Sequence, residues 1–420
     1  MKVLVVGGGG REHAIIKSLK KNNRISKIFA APGNGGISFD AQCVPIKATD
    51  IALIVDFCVN EKIDYVVVAP DDPLALGLVD ALEEKGIRSF GPAKAAARIE
   101  SSKVFSKNLM KKYGIPTAAY EIFSDPQKAN LYVKSEIKYP LVIKADGLAL
   151  GKGVIIAETQ AEAINAIETI MTEKKFGQSG SNIVIEEFLS GPEVTVLAFT
   201  DGKTIKPMIS SMDHKRVFDG NKGLNTGGMG AIAPNPHYSA EIAAICEKTI
   251  FKTTINAMQK ENCPFKGCLY FGLILTPNGP MVIEYNCRFG DPETQVILPL
   301  LETDLLEIME SITDCRLNEI DIKWSNAHSA CVILASGGYP ENYKTGLEIS
   351  GLDLNDKKLN ITIFHSGTTA KDGAFFTSGG RVLGVTGTGN KLDKVLNDVY
   401  NSVENIKFEG MHYRKDIGKY

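Results

Sequence analysis

Residues 281–295 read MVIEYNCRFGDPETQ. The alternation of apolar and polar residues predicts a strand that carries Glu284 and Asn286 on one face. Two such oxygen donors suit a magnesium ion that also binds a triphosphate. Arg288 follows at once, and its forked guanidinium can hold a carboxylate or a phosphoryl group. The pattern predicts a site for ATP and magnesium with an arginine clamp, although an ordinary strand-to-turn junction at 290–292 would also explain these residues.

A second candidate site is the segment KADGLALGKGV at 144–154. It predicts two strands around a glycine-rich turn, with Lys144 and Lys152 on either side. The segment does not match GxxxxGK[ST], but two lysines beside a mobile glycine loop suit a triphosphate. A plain surface turn is the alternative interpretation.

A third candidate is IVIEEFLSGPEV at 183–194, where Glu186 and Glu187 end an apolar strand. Such carboxylates are often only solvated edge charges. In an ATP site, the backbone at 188–189 would recognise adenine and Glu193 would take the ribose hydroxyls.

The surrounding segments predict an α+β unit. SSKVFSKNLMKKYG at 101–114 predicts a helix ended by glycine, and another helix is predicted at about 161–174. The segment GCLYFGLILTPNGPMVIEYN at 267–286 predicts a hairpin that turns at 277–280.

The first hundred residues alternate Val/Ile-rich runs with amphipathic stretches. This alternation predicts βαβ units on a doubly wound parallel sheet, with helices at about 11–21, 51–60 and 74–84. A new set of strands (HSACVILA, NITIFHSG, GGRVLGVTG) and a final helix at about 391–403 predict a small α+β domain at the other end. The expected domains are 1–101, 102–324 with a mobile subdomain at about 120–192, and 325–420.

Four glycines, Gly7–Gly10, follow the first predicted strand. A dinucleotide fingerprint fails here because its last glycine position falls on Glu12. Backbone N–H groups at this point could meet a phosphate, and a tight turn without a ligand is an equal alternative. The glycines at 33–36 and Asp71 are expected on the same carboxyl edge of the sheet, where open parallel sheets bind ligands.

The bulk composition narrows the function classes. Of 420 residues, 44% are hydrophobic and 23% charged, which is typical of a soluble globular protein of several domains. The net charge of −2 gives no general attraction for nucleic acid, and no apolar run predicts a membrane span. The eight cysteines form no CxxC pair, so reduced thiols in a cytoplasmic protein are expected.

Several motifs together resemble the phosphoribosylamine–glycine ligase family, also called glycinamide ribonucleotide synthetases, of the ATP-grasp superfamily. The matching segments run along the whole chain: GGREHA (9–14), APGN (31–34), VIKADGLA with GKGV (142–154), EEFL (186–189), DHKRV (213–217), NTGGMGA (225–231), NCRFGDPETQ (286–295), GGYP (337–340) and RKDIG (414–418). RFGDPETQ is specific to this family.

The resemblance implies an enzyme that joins glycine to 5-phosphoribosylamine through glycyl phosphate, giving glycinamide ribonucleotide, ADP and phosphate in purine synthesis. The alternative is another ATP-grasp carboxylate–amine ligase or carboxylase of purine metabolism. ATP and Mg²⁺ or Mn²⁺ are the implied cofactors. The chain is expected to be a monofunctional monomer whose partners are small molecules.

The resemblance also implies residue roles. Arg288, Asp213 and Lys144 are the expected catalytic residues, and Glu284 and Asn286 the expected metal ligands. The expected ATP-binding residues are Lys103, Lys144, Gly147, Gly151, Lys152, Gly153, Glu186, Glu187, Phe188, Leu189 and Glu193. The expected substrate-binding residues are Gly8, Gly9, Gly10, Arg11, Glu12, Gly33, Asn34, Asp71, Asp213, Asn225, Thr226, Gly227, Gly228 and Arg288.

Three positions depart from the family pattern. Gly8 stands where Asn is usual, Asp71 where Glu is usual, and Leu224 where Pro is usual. The first two fall in the expected site for the sugar phosphate. His214, within DHKRV, is left out of the expected catalytic residues because a lone loop histidine is more often an ordinary hydrogen-bonding group.

Overall fold

The computed structural model describes residues 1–135, 138–148, 153–352 and 360–419. The first hundred residues form a parallel sheet of five strands in the order β3-β2-β1-β4-β5. The strands are β1 (Lys2–Gly7), β2 (Lys27–Pro32), β3 (Gln42–Cys43), β4 (Tyr65–Val68) and β5 (Arg88–Phe90). The helices are α1 (Gly10–Leu19), α2 (Ile51–Glu61), α3 (Asp71–Leu76), α4 (Leu78–Glu83) and α5 (Lys94–Ser101).

Both faces of this sheet are covered, which explains its unbroken apolar strands. Val3 and Val5 of β1 pack into one core cluster with Ile15 of α1. Leu4 and Val6 point the other way and pack into a second cluster with residues of α2. The strand order reverses between β1 and β4, so the loops that follow these two strands face a natural ligand crevice. The predicted doubly wound parallel sheet is confirmed.

One predicted helix is wrong in its bounds. Instead of a single helix at 74–84, the chain forms α3 and α4, which meet at Gly77 with φ of +97°. A left-handed residue cannot continue a right-handed helix, so the direction changes there. The first of the two helices, α3, begins at Asp71, at the carboxyl edge of the sheet.

The central part contains two antiparallel sheets that face each other across a cleft. Its strands are β6 (Tyr120–Phe123), β7 (Leu141–Ala145), β8 (Val154–Ala157), β9 (Ile183–Glu187), β10 (Glu193–Asp201), β11 (Ile205–Pro207), β12 (Met212–Asp213), β13 (Arg216–Phe218), β14 (Lys222–Asn225), β15 (Gly230–Ala233), β16 (Lys266–Thr276) and β17 (Gly279–Asn286). Its helices are α6 (Lys103–Tyr113), α7 (Pro126–Ser135), α8 (Gln160–Ile167), α9 (Ala240–Cys246), α10 (Lys252–Lys260), α11 (Thr294–Ile297) and α12 (Leu305–Thr313). One sheet has the order β6-β9-β7-β8 and the other β11-β10-β16-β17.

The predicted hairpins of the central part are confirmed: β7 pairs with β8, and β16 pairs with β17. The helix predicted at 101–114 is α6, which Gly114 ends in the left-handed conformation. The helix predicted at 161–174 consists of α8 followed by a short π-helix at Glu168–Thr172. The helices α9, α10 and α12 were not predicted from the sequence.

The last part of the chain has the strands β18 (His328–Ala335), β19 (Glu348–Ile349), β20 (Ile361–His365), β21 (Thr368–Lys371), β22 (Ala374–Thr377) and β23 (Arg381–Gly389), and the helix α13 (Leu392–Asn405). Its main sheet has the order β12-β15-β18-β23-β20, so two of its strands come from the central part. The expected domain boundary near residue 324 therefore separates strands that share one sheet. No helix in the described ranges is long and apolar enough to cross a membrane.

Candidate active site

A cleft of about 710 Å³ opens between the two central sheets and extends to the first and last parts of the chain. Most of the residues predicted for the ATP, metal and activation sites line it: Lys103, Lys144, Gly147, Gly153, Glu186, Glu187, Phe188, Leu189, Glu193, Asp213, Asn225, Thr226, Gly227, Glu284, Asn286, Arg288 and Asp71. Residues from separate motifs thus meet in one place. Gly151 and Lys152 lie outside the described residues.

A buried carboxylate organises the lysines of the cleft. Glu186 Oε1 lies 2.9 Å from Lys144 Nζ, and its Oε2 lies 2.9 Å from Lys107 Nζ. All three side chains are almost fully buried, and an unpaired charge there would be costly. Glu186 was predicted to bind ATP, but in this arrangement its carboxylate holds two lysines in place. Burial lowers the pKa of Lys107 to about 8 even with Glu186 beside it.

Lys103 lies one helical turn before Lys107 on α6. Its Nζ donates to the carbonyl of Gly147 at 2.9 Å, so it anchors the start of the glycine-rich turn. Gly147 has φ of +131°, and a Cβ there would lie 2.4 Å from Ser179 Oγ. Burial lowers the pKa of Lys103, because desolvation outweighs the carboxylate of Glu284.

The predicted adenine and ribose contacts lie at the outer end of the cleft. Phe188 is 42% exposed, and Glu187 accepts a hydrogen bond from the backbone N–H of Ala119. Glu193 lies 3.2 Å from Lys215 Nζ. The carboxylate of Glu193 remains half-exposed and within reach of a ligand.

The predicted metal ligands lie side by side at the end of β17. Lys215 Nζ lies 3.6 Å from Glu284 Oε1 and thereby links Glu284 with Glu193. Burial would raise the pKa of Glu284, but the ammonium groups of Lys215, Lys144 and Lys103 outweigh it and lower that pKa. Glu284 is therefore a charged oxygen donor. No group of three or more His, Cys, Asp or Glu side chains that could hold a metal ion occurs in the described ranges.

Arg288 joins the cleft to the first domain. Its Nη2 lies 3.1 Å from Glu100 Oε1 and 3.9 Å from Asp71 Oδ2. Its buried Nε has no hydrogen-bond partner. Desolvation would lower the pKa of Arg288, but Glu100 and Asp71 raise it, so the guanidinium stays charged with a donor to spare.

The Oδ1 atom of the Asp213 side chain is buried and has no hydrogen-bond partner. Desolvation, reinforced by the charge of Glu293, raises the pKa of Asp213 well above its ordinary value. A cation bound beside Asp213 would offset both the desolvation and the charge of Glu293. A ligand ammonium group would satisfy both the charge and the missing hydrogen bond.

The NTGG loop at 225–228 packs against this pocket with almost no spare room. Gly228 has φ of +107°, and a Cβ there would lie 2.4 Å from Pro292 Cδ and 2.6 Å from Asp213 Oδ1. Arg381 of β23 secures the loop: it donates to the carbonyls of Gly227 and Asp291 and pairs with the Asp291 carboxylate at 3.0 Å. The C-terminal part therefore fixes the relation between NTGG and RFGDP.

The predicted sugar-phosphate loops lie beside the cleft but do not line it. Gly9 N–H donates to Glu12 Oε2 at 2.6 Å, so this amide already has an anionic partner. Arg11 pairs with Glu12 and donates to the carbonyl of Phe289 at 3.2 Å. The loop at the start of α1 is thus tied directly to the RFGDP segment.

Asn34 and its neighbours have a structural role. The Asn34 amide donates to the carbonyls of Gly8 and His365 and accepts from the N–H groups of Gly36 and Ile37. No donor or acceptor of that side chain remains for a ligand, so a contact with the sugar phosphate is limited to its backbone. A Cβ at Gly8 would lie 2.3 Å from the Gly33 carbonyl oxygen, so a larger residue there would require the two loops to move apart. Gly10 is similarly packed, against Gln295 and Ser366.

Sequence reasoning missed Lys107, Lys215, Glu100, Glu293 and Arg381. Lys215 lies inside DHKRV, and Lys107 follows Lys103 by four residues on one helix face, so both had a local signal. Glu100 lies 188 residues before Arg288 in the chain, and Arg381 lies 93 residues after it. Only the folded sheets bring them together.

The paired sheets with a lysine-rich cleft between them define an ATP-grasp enzyme. The fold is shared with the biotin carboxylase domain of Hydrogenobacter thermophilus 2-oxoglutarate carboxylase, which is 17% identical over 98% of this chain and 91% of that chain, with a TM-score of 0.73. At that identity the likeness shows the fold alone.

Models of the three domains of phosphoribosylglycinamide synthetase match residues 1–100, 101–294 and 329–420. The phosphoribosylamine–glycine ligase of Caldanaerobacter subterraneus subsp. tengcongensis is 47% identical over 99% of both chains. The crystal structure of the Thermotoga maritima phosphoribosylamine–glycine ligase is 32% identical over the full length of both chains, with a TM-score of 0.87. The chain belongs to the phosphoribosylglycinamide synthetase family. The predicted family, fold class and ligase activity are confirmed.

Proposed function

We propose that the cleft uses ATP and a divalent cation to convert glycine to glycyl phosphate, and that the amine of 5-phosphoribosylamine then displaces the phosphate. The observation that carries this assignment is the convergence of two chemically different regions. The lysine cluster around Glu186 attracts a triphosphate, and the pocket around Asp213 attracts a cationic amino group. Glycine has such an ammonium group one carbon away from its carboxylate.

The cleft fits ATP. Lys103, Lys144 and Lys107 provide positive charge on one wall, and Lys215 provides it on the other. The extended backbone after β9 at Phe188 and Leu189 suits adenine, and Glu193 suits the ribose hydroxyls. Lys144 is held between Glu186 and the carbonyl of Ile283, at 2.9 and 3.1 Å, so its position is fixed before ATP enters.

Glu284 and Asn286 would hold the metal, since they offer one charged and one neutral oxygen next to the lysines. A bound Mg²⁺ or Mn²⁺ supplies positive charge to the phosphates and holds them in line. Both metals accept this donor set, and Mg²⁺ is the one we propose because the site leaves most positions to phosphates and water.

The side chains around glycine orient its two ends. Asp213 and Glu293 hold the ammonium group, and the unpartnered Nε of Arg288 faces the activated carboxylate. An oxygen of the glycine carboxylate bonds to the γ-phosphorus, and the bond from that phosphorus to the β-phosphate oxygen breaks, which releases ADP. The positively charged groups stabilise the charge on the transferred phosphoryl group.

The second step uses the loops of the first domain. The amine nitrogen of phosphoribosylamine bonds to the acyl carbon, the bond from that carbon to the phosphate oxygen breaks, and the nitrogen loses a proton. A Cβ on Gly9 would lie 3.5 Å from Asp291 Oδ2, and Arg11 donates to the carbonyl of Phe289. A sugar phosphate bound at Gly8–Gly10 and Gly33 would therefore present its amine to the pocket. Asp71, close to Arg288, is the proposed contact for the ribose.

The test is phosphate release with ATP, glycine and freshly formed phosphoribosylamine. The rate is expected to depend on all three compounds and on added Mg²⁺. Release that is independent of glycine would overturn the assignment, and release with bicarbonate in place of glycine would favour a carboxylase. We also propose that the enzyme is a monomer and that it is cytoplasmic. Sedimentation of the purified chain tests whether it is a monomer.

A further inference from the structure

The final motif singled out in the sequence, RKDIG at Arg414–Gly418, has no role in the proposed chemistry. It follows the last helix and lies against the β13–β14 hairpin, beside the cleft. Lys419, directly after it, lines the cleft together with Arg216 and Asn221 of the hairpin region. The segment therefore reaches the active site from the far end of the chain.

Arg414 makes the main contact. It is 1% exposed, and its Nη1 donates to the carbonyl of Arg216 at 3.1 Å and to Asn221 Oδ1 at 3.0 Å. Its Nε and Nη2 donate to the carboxylate of Asp416 at 2.7 and 2.8 Å. One buried guanidinium thus joins the terminal segment to the first strand of the hairpin and to its turn.

Hydrogen bonds between backbone groups and side chains extend this contact along the turn. Gly220 N–H donates to Asp416 Oδ2 at 2.8 Å, and Lys415 N–H donates to Asp219 Oδ1 at 2.8 Å. Just before the motif, His412 Nε2 donates to the carbonyl of Val217 at 2.8 Å. The hairpin is held at successive points from Arg216 to Asn221.

The segment also reaches His214. Gly418 N–H donates to His214 Nε2 at 3.1 Å, so the ring proton lies on Nδ1, which donates to the carbonyl of Gly230 at 3.3 Å. Burial lowers the pKa of His214 to about 4, so the ring stays neutral near pH 7. Both ring nitrogens are engaged by backbone, and the residues on either side of His214 are Asp213 and Lys215.

The hairpin needs such support. It is a separate two-stranded sheet with a register shift between Arg216 and Phe218. Phe218 and Leu224 are about half-exposed and bury little surface. A two-stranded hairpin of this kind is marginally stable by itself in water.

We propose that the terminal segment Arg414–Lys419 is a positioning element of the active site, which fixes Asp213 and Lys215 by bracing His214 and the β13–β14 hairpin. This inference rests on the proposed function, since Asp213 is there the group that receives the glycine ammonium.

The experiment compares Arg414→Ala and the milder Asp416→Asn with wild type. The matched control is Lys415→Ala, because Lys415 is exposed and contacts the hairpin through its backbone. Hydrogen exchange of the segment 214–226 is expected to become at least about tenfold faster in both variants and to stay unchanged in the control. The KM for glycine is expected to rise about tenfold. The Kd of ATP is expected to change by a clearly smaller factor, because three of the four lysines assigned to ATP, Lys103, Lys107 and Lys144, lie on α6 and β7 and only Lys215 depends on the braced segment. Arg414→Lys is expected to restore part of the glycine affinity.

Two results would overturn the proposal: unchanged exchange in the segment 214–226, or faster exchange with wild-type kinetics for glycine. If Arg414→Ala does not fold, Asp416→Asn decides by the same criteria. Since exchange is measured without turnover, it separates this proposal from the proposed reaction, which fails only if the wild-type protein shows no glycine-dependent phosphate release.

Discussion

Glu100 holds Arg288: the Glu100 Oε1 atom lies 3.1 Å from Arg288 Nη2, although the two residues come from α5 and from the loop after β17. Glu100 Oε2 also accepts the backbone N–H of Cys287 at 2.7 Å. One buried carboxylate thus orients both the guanidinium and the backbone that carries it. This contact fixes the proposed activating arginine on the boundary between the first and central parts.

Glu100→Gln is expected to lower kcat by about 10- to 100-fold, because the glutamine keeps the shape but loses the charge that orients Arg288. The Kd of ATP, measured by calorimetry, is expected to stay within about threefold of the wild-type value. Glu302→Gln, on an exposed residue, is the matched control and is expected to behave as wild type. A normal kcat in Glu100→Gln would contradict the role given to this contact.

Lys107→Met is expected to weaken ATP binding about tenfold, which corresponds to about 1.4 kcal/mol. The reason is that Glu186 would lose one of its two ammonium partners and the cleft would lose one positive charge. Lys111→Met, one turn later on α6 and exposed, is the matched control. Equal ATP affinities in the two variants would count against the lysine cluster.

ATP affinity is also expected to fall as the pH rises through about 8. The pKa of Lys107 lies at about 8 because burial disfavours its charged form, so its ammonium group is lost in that range and with it the attraction for phosphate. Calorimetric titrations between pH 7 and pH 9 measure this change. The decline should be smaller in Lys107→Met, and an identical pH dependence in both proteins would refute the explanation.

Gly228→Ala is expected to lower kcat/KM for glycine by about 100-fold. The new methyl group would lie 2.4 Å from Pro292 Cδ and 2.6 Å from Asp213 Oδ1, so it would displace both side chains. Gly279→Ala separates this clash from backbone strain. Gly279 has φ of +109°, close to the +107° of Gly228, but a Cβ there meets no atom within 4 Å. Gly279→Ala should lose about 1 to 2 kcal/mol of stability at most and keep its glycine kinetics. If both variants lose glycine binding alike, strain and not the clash is responsible.

The protein is expected to become less stable as the pH falls from about 6.5 to about 4. Burial lowers the pKa of His214 to about 4 and that of His365 to about 3, whereas an unfolded histidine titrates near 6.5. Within this window the unfolded chain binds more protons, so acid favours unfolding, by on the order of 3 kcal/mol for each ring. His13, whose pKa burial also lowers, acts in the same direction. Urea unfolding at pH 7.5 and pH 4.5 measures the difference, which should be smaller in His214→Gln and in His365→Gln.

Local patterns predicted the parts of the fold that depend on neighbouring residues. The hairpin of β16 and β17 follows from strand alternation around Pro277–Pro280, and the end of α6 follows from Gly114. The break at Gly77 was missed because an isolated glycine is often tolerated in a helix, and nothing in the local sequence indicates the φ of +97° that it has in the structure.

In the candidate site as well, residues that are close in the chain could be predicted, and contacts that depend on folding could not. Glu284, Asn286 and Arg288 stand close together in the chain and could be recognised together. The role of Glu186 could not, since its burial between Lys107 and Lys144 depends on how α6 packs against β7 and β9. Arg381 gave no signal either, because its partners Gly227 and Asp291 reach it only through the sheet that β23 shares with β15.

Because β15 pairs with β18, Gly230–Ala233 and the strand that begins at His328 are hydrogen-bonded across the expected boundary at residue 324. A cut in the connection at 325–327 would leave two fragments that remain joined along a buried ladder of backbone hydrogen bonds. Expressed separately, each fragment would expose an unpaired strand edge, which favours aggregation. The last ninety-odd residues therefore cannot be exchanged without also matching the strands β12 and β15 that share their sheet.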